Sequence, residues 1–75
     1  MKKIIIVDDE EPIRHLLKQI LEAKGYSCTL AADALEARKC FKQETFALVL
    51  CDILMPGELG LDLVRELLAE HPNTA

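Results

Sequence analysis

The sequence has no CxxC pair, no apolar run long enough to enter a membrane, and no excess of basic residues. Each absence excludes something. The three cysteines, Cys28, Cys40 and Cys51, cannot all pair, and their spacing fits neither a disulfide framework nor a zinc site. They read as small buried hydrophobes in a reducing compartment. Four apolar residues, Ile4 to Val7, separate Met1-Lys2-Lys3 from Asp8. A secretory signal needs about 7–15 and a membrane span about 20, so the expected location is the cytoplasm, away from membranes. Nine Lys and Arg against thirteen Asp and Glu give a net charge of −4. That balance argues against binding a nucleic-acid backbone, which needs a positive patch. No repeat, low-complexity tract or linker divides the 75 residues, so one compact unit is expected. A hydrophobic share of 51% supports an ordered chain.

What is present alternates. Ile4-Ile5-Ile6-Val7 is a β-branched run of the kind found in strands buried on both faces. Pro12 suits the first turn of a helix, and Ile13, Leu16, Leu17, Ile20 and Leu21 form one apolar helical face, stopped at Gly25. Cys28 to Ala31 is a weaker second strand. Asp33 with Glu36 resembles a capping box, and Ala34, Ala37, Cys40 and Phe41 give the following helix an inner face. Phe46 to Cys51 is a third buried strand ending at Asp52, and Pro56, Gly57 and Gly60 mark a loop. Leu61, Val64, Leu67 and Leu68 then repeat at helical spacing until His71-Pro72, and a further strand would start after that. The order β-α-β-α-β-α implies a parallel sheet covered by helices and joined by right-handed crossovers.

In such sheets ligands bind beyond the carboxyl ends of the strands. Asp8 and Asp9 stand at that end of the first strand and Asp52 at that end of the third. A strand order of 2-1-3 makes these ends neighbours. Two unit charges 4 Å apart repel by about 4 kcal/mol at an effective dielectric of 20, so the cluster calls for a proton or a cation. Oxygen ligands alone suit Mg2+ better than zinc. Taken singly, the acidic run Asp8 to Glu11 reads as favourable charge at a helix start, and Asp52 as an ordinary strand-ending residue. Their meeting at adjacent strand ends is what suggests a site.

Ile4-Ile5-Ile6-Val7-Asp8-Asp9-Glu10, then Leu48-Val49-Leu50-Cys51-Asp52-Ile53-Leu54-Met55-Pro56 and Gly60, resemble the receiver domain of two-component response regulators. The resemblance implies a flavodoxin-like (CheY-like) doubly wound α/β fold, here as a partial receiver domain spanning residues 1–75. It implies Asp52 as the phosphorylated aspartate, with a sensor histidine kinase as phosphodonor and Mg2+ as cofactor. Asp9 would bind the metal directly, Asp8 mostly through water, and the backbone carbonyl of Leu54 would complete the protein ligands. Pro56 and Gly60 would shape the adjoining loop. The family's Ser or Thr and its Lys, which contact the phosphoryl group, lie in segments beyond the third helix, so the 75 residues alone are expected to phosphorylate poorly and not to signal. Leu59 stands where the family often has Asp, a substitution expected to be neutral.

Two other classes compete with this reading. A magnesium-dependent phosphohydrolase with an Asp nucleophile would carry DxD after the first strand, and Asp8-Asp9-Glu10 does not match it. A plain dimeric α/β scaffold needs no chemistry at all. Dimerisation is expected in either non-enzymatic case, because strand 46–51, central in the whole family fold, becomes an edge here and would pair with a second copy. His15 and His71 read as exposed helix residues, Lys2 and Lys3 as solvated flanks, and Met55 as loop packing. The leucines Leu61, Leu63, Leu67 and Leu68 read as core- or dimer-facing, and Glu10 as a weak candidate to tune the metal site.

Overall fold

The computed structural model describes residues 2–75. The apolar run at the start becomes β1 (Lys3–Val7), whose Ile5, Ile6 and Val7 are wholly buried. Then follow α1 (Glu11–Ala23), β2 (Ser27–Ala31), α2 (Ala34–Gln43), β3 (Leu48–Cys51), a two-residue-per-arm hairpin of β4 (Leu54–Met55) and β5 (Glu58–Leu59), and α3 (Gly60–Glu70). The main sheet has order β2-β1-β3, all parallel, with Ile4 opposite Cys28 on one side and opposite Leu48 on the other. This is the doubly wound order expected from the alternation.

Local signals set the boundaries. Pro12 sits in the first turn of α1. At its other end Tyr26 N–H donates to the Leu21 carbonyl and Gly25 N–H to that of Glu22, with Gly25 at φ +93°. That is a Schellman stop, and the positive φ is why a glycine stands there. Asp33 caps α2 by accepting from Glu36 N–H at 2.8 Å, while the Glu36 carboxylate accepts from Ala32 N–H at 2.7 Å. The return bond of the capping box thus reaches one residue further back than the usual N-cap amide.

The larger core cluster lies on one side of the sheet, while Ile4 and Ile6 are buried on the other. Ile5 and Val7 pack with Ala31, Ala37, Phe41, Phe46, Met55, Leu63 and Leu67, under α2 and α3. Several expectations change here. The apolar face of α1 exists, but no residue of that helix is buried: Ile13, Leu16 and Ile20 remain 39%, 52% and 45% exposed. In α3 the inward positions are Gly60, Leu63 and Leu67, and Leu61 is exposed, because the helix begins at Gly60 and that residue sets which face meets the sheet. The third strand is shorter than 46–51. Phe46 is buried against Phe41 rather than extended in the ladder, with ring centroids 4.9 Å apart. His71 is half-buried and lies over Phe41 at 4.7 Å, whereas His15 is exposed as expected.

The outer edge of β3 is not fully open. Val49 N–H donates to the Ala75 carbonyl at 2.8 Å and Ala75 N–H to that of Ala47 at 3.0 Å. Thr74 anchors this segment, its buried hydroxyl donating to the Phe46 carbonyl at 2.7 Å. The lower half of the edge is therefore occupied by the chain itself, where the sequence suggested that another strand begins.

Candidate metal and phosphoacceptor site

The register of β1 against β3 builds the site. Val7 is opposite Cys51, and the ladder runs on one step, with Asp52 N–H donating to the Val7 carbonyl at 2.9 Å. On the other side Asp8 N–H donates to the Ala31 carbonyl at 3.1 Å. Buried strand residues thus fix the backbones of Asp8 and Asp52 side by side. Carboxylate oxygens of Asp8, Asp9 and Asp52 all lie within 4.8 Å of one another. Asp8 and Asp52 are half-buried and Asp9 is exposed.

One oxygen of each half-buried carboxylate is already engaged. Asp8 Oδ1 accepts from Glu10 N–H at 2.9 Å, and Asp52 Oδ1 accepts from Leu54 N–H at 3.3 Å. These bonds aim the side chains while leaving the second oxygen of each for a ligand. An all-oxygen donor set of this size fits a hard cation such as Mg2+, which takes one or two carboxylates, carbonyls and retained water. It suits zinc less well, since zinc sites are built mainly on histidine nitrogen and cysteine sulfur.

The loop residues divide. Gly60 is in close contact with the site: a methyl group in place of its hydrogen would overlap the Asp52 carbonyl oxygen and come within 2.8 Å of its carbon. Its N–H donates to the Ile53 carbonyl at 2.7 Å, closing the hairpin base. Pro56, with Gly57 at φ +85°, forms the exposed hairpin turn, a pairing suited to a type II turn. Leu54 is 71% exposed and joins the site through its backbone. Glu10 contributes its N–H, and its side chain is not among the clustered acids.

Two basic residues went unnoticed in the sequence. Arg14 Nη1 donates to the Asp8 backbone carbonyl at 2.7 Å, placing a cation beside the acidic cluster. Arg38 binds Glu58 of the hairpin and Glu66 of α3. The acidic first turn after Asp8 could have hinted at Arg14, one helical turn on; Arg38 has no local signal. Cys51, directly before Asp52, has its thiol pushed up to about 11, first by burial and then by the charge of Asp52 and Asp8. It is therefore a thiol at neutral pH and a poor nucleophile. No helix among the described residues is long and apolar enough to cross a membrane.

Comparison with known proteins agrees with this geometry. The response regulator receiver domain family matches residues 4–75. The aerobic respiration control protein ArcA of Escherichia coli is 43% identical over 72 residues, which are 96% of this chain and 30% of that protein. The crystal structure of response regulator protein TrrA from Thermotoga maritima in complex with Mg(2+)-BeF superposes with a TM-score of 0.91 at 40% identity, covering 99% of this chain and 64% of that one. TrrA in complex with histidine kinase ThkA gives a TM-score of 0.90 with the same coverage. The chain thus spans less than a third of the curated relative and about two thirds of the solved one. With a parallel 2-1-3 sheet, acids meeting at its carboxyl edge and a family match over nearly its whole length, the chain belongs to the response regulator receiver domains of two-component systems.

Proposed function

We propose that Asp52 is a phosphoacceptor, charged by the phosphohistidine of a sensor histidine kinase, with Mg2+ held by Asp8, Asp9, Asp52 and the Leu54 carbonyl. The observation that carries this reading is the convergence of three carboxylates within 4.8 Å at two neighbouring strand ends. The relative solved with Mg(2+)-BeF and the relative solved with a histidine kinase support the cofactor and the donor. In the reaction an Asp52 carboxylate oxygen forms a bond to phosphorus, the phosphorus–nitrogen bond to the donor imidazole breaks, and the imidazole takes the electron pair and leaves as the neutral ring once protonated. When bound, the metal supplies positive charge that offsets the acids and the incoming phosphoryl group. Asp52 is aimed by its bond from Leu54 N–H, Asp8 by its bond from Glu10 N–H, and both backbones are held by the sheet. Positioning and charge compensation suffice, because a loose phosphoryl transition state asks little covalent help of the protein. The cytoplasm is the compartment in which such a kinase would meet this chain.

The test is uptake of beryllium fluoride with magnesium, read by intact-complex mass or by NMR shifts at Asp52. Stoichiometric uptake that is lost in Asp52→Asn supports the reading, and uptake unchanged in that variant overturns it. For these 75 residues alone we expect only slow reaction with acetyl phosphate, since the family's further phosphoryl contacts come from later segments of the fold. Near-complete gain of one phosphoryl group in intact mass would refute that expectation. For these 75 residues by themselves we also propose that a second copy pairs along the upper part of β3, which stands at the edge of the sheet. A sedimentation mass of one chain at micromolar concentration would count against it.

A further inference from the structure

We infer that Arg38, which touches none of the clustered acids, is a positioning residue for the metal site, acting through the β4–β5 hairpin. This inference rests on the metal reading above. The guanidinium of Arg38 joins three elements. Its Nη2 donates to both oxygens of Glu58 at 3.0 and 2.8 Å, while Nε and Nη2 donate to Glu66 at 2.7 and 3.0 Å. α2 is thereby tied to the hairpin and to the middle of α3.

The hairpin needs such a tie. Each of its arms has two residues, and a ladder that short has no stability of its own. Met55 reaches the core, but Ile53, Leu54 and Leu59 are 66%, 71% and 51% exposed, so little apolar burial holds the remainder. Glu58 is the register partner of Met55, and Leu59 that of Leu54. The arm bearing Glu58 therefore backs the arm that carries Leu54, and Leu54 N–H is what aims the Asp52 carboxylate. With Met55 fixed on one side and Glu58 on the other, the backbone at Leu54 is held from both arms. The three side chains of the clamp are 34%, 27% and 40% exposed, and a fork-shaped guanidinium serving two carboxylates is the ion-pair geometry that outlasts ordinary surface screening. The same pairing holds the Glu66 carboxyl below its usual range.

A salt bridge that merely adds stability would leave metal affinity alone, and this separates the two roles. Magnesium chloride is titrated into the isotope-labelled 75-residue chain and followed by NMR, for the unaltered protein and for Arg38→Ala, Arg38→Lys, Glu58→Gln and the double variant Arg38→Ala with Glu58→Gln. Melting in excess chelator is measured alongside. Glu44→Gln is the control, because Glu44 pairs with Lys3 at 3.1 Å at the opposite end of the sheet. We expect Arg38→Ala and Glu58→Gln each to weaken magnesium binding about three- to tenfold, about 0.7–1.4 kcal/mol at 1.4 kcal/mol per decade. The double variant should be no worse than either single one, and Arg38→Lys should recover part of the loss. Glu44→Gln should leave the affinity unchanged. If Arg38→Ala lowers the melting temperature while magnesium affinity stays as in Glu44→Gln, the inference is overturned. If the unaltered chain takes up no magnesium, the metal reading fails by itself. The clamp is then read from amide exchange at Leu54 and Leu59, where no acceleration in Arg38→Ala overturns it.

Discussion

Replacing Asp52 by Asn should stabilise the chain without metal and remove its response to metal. The Coulomb cost follows from the geometry. Two charges 4.8 Å apart at an effective dielectric of 20 repel by roughly 3.5 kcal/mol. Asp9 is exposed and only Asp8 and Asp52 are half-buried, so solvent screening brings the expected gain nearer to about 1 kcal/mol. For a domain of this size that is about 4–8 °C in melting temperature. Asn keeps the oxygen that accepts from Leu54 N–H, so the backbone geometry is not disturbed by the change. Magnesium at a hundredfold excess over its Kd should raise the stability of the unaltered chain by about 2.7 kcal/mol, reversing the order of the two proteins. The assay is thermal melting by circular dichroism in chelator and in magnesium chloride, at low and high ionic strength. The gain in chelator should shrink in about 1 M salt, where the Debye length is roughly 3 Å. Equal melting temperatures in chelator together with equal rises in magnesium would refute the claim that these carboxylates share one field and one ion.

Three further outcomes follow from the packing. Gly60→Ala should lower both stability and magnesium affinity, because its methyl group overlaps the Asp52 carbonyl and must push the hairpin base aside; an unchanged magnesium titration would contradict this. Leu63→Ala should cost about 2–5 kcal/mol, since Leu63 is wholly buried. A chain of this length has roughly 4–11 kcal/mol in total, so the urea midpoint should fall by a large fraction. Stability should also decline as pH rises from about 9 to about 11. Between the unfolded thiol's pKa and the raised folded value of Cys51, the folded chain binds the extra proton, so each rise in pH favours unfolding. Cys51→Ala should flatten that part of the urea-midpoint profile, and an identical slope in the variant would show that the thiol plays no part.

Local features carried most of the fold into the sequence. β-branched Ile4 to Val7 could only be a buried central strand, Asp33 and Glu36 announced the start of α2, and Gly25 marked a stop that needs positive φ. The acidic cluster was legible because the alternation places the strand ends, and the doubly wound order 2-1-3 makes the first and third strands neighbours. What stayed hidden depends on distance in sequence or on the neighbour a face finds. Arg38 meets Glu58 and Glu66 across 20 and 28 residues, and no period links them. The α1 pattern reports which face a helix could bury, and Leu16 at 52% exposure shows that the covering partner is a separate matter. Phe46 kept strand-like company in the sequence, yet it lies before β3 begins and packs its ring against Phe41.

The division of burial also explains why the acidic site can form although no residue of α1 is itself buried. Its two fixed carboxylates depend on the β1–β3 register, and that register is locked by Ile5 and Val7, whose side chains face the dense α2–α3 core. A slip of one residue would send both to the other face, which is the reason register is strongly specified wherever one side is buried. The α1 side enters through the charge-assisted bond from Arg14 to the Asp8 carbonyl and through Glu10, the residue that caps α1, whose N–H donates to Asp8 Oδ1. Loosening α1 should therefore shift Asp8 and Asp9 before Asp52, while the hairpin that carries Leu54 is held by Met55 in the core and by the Arg38 salt bridge.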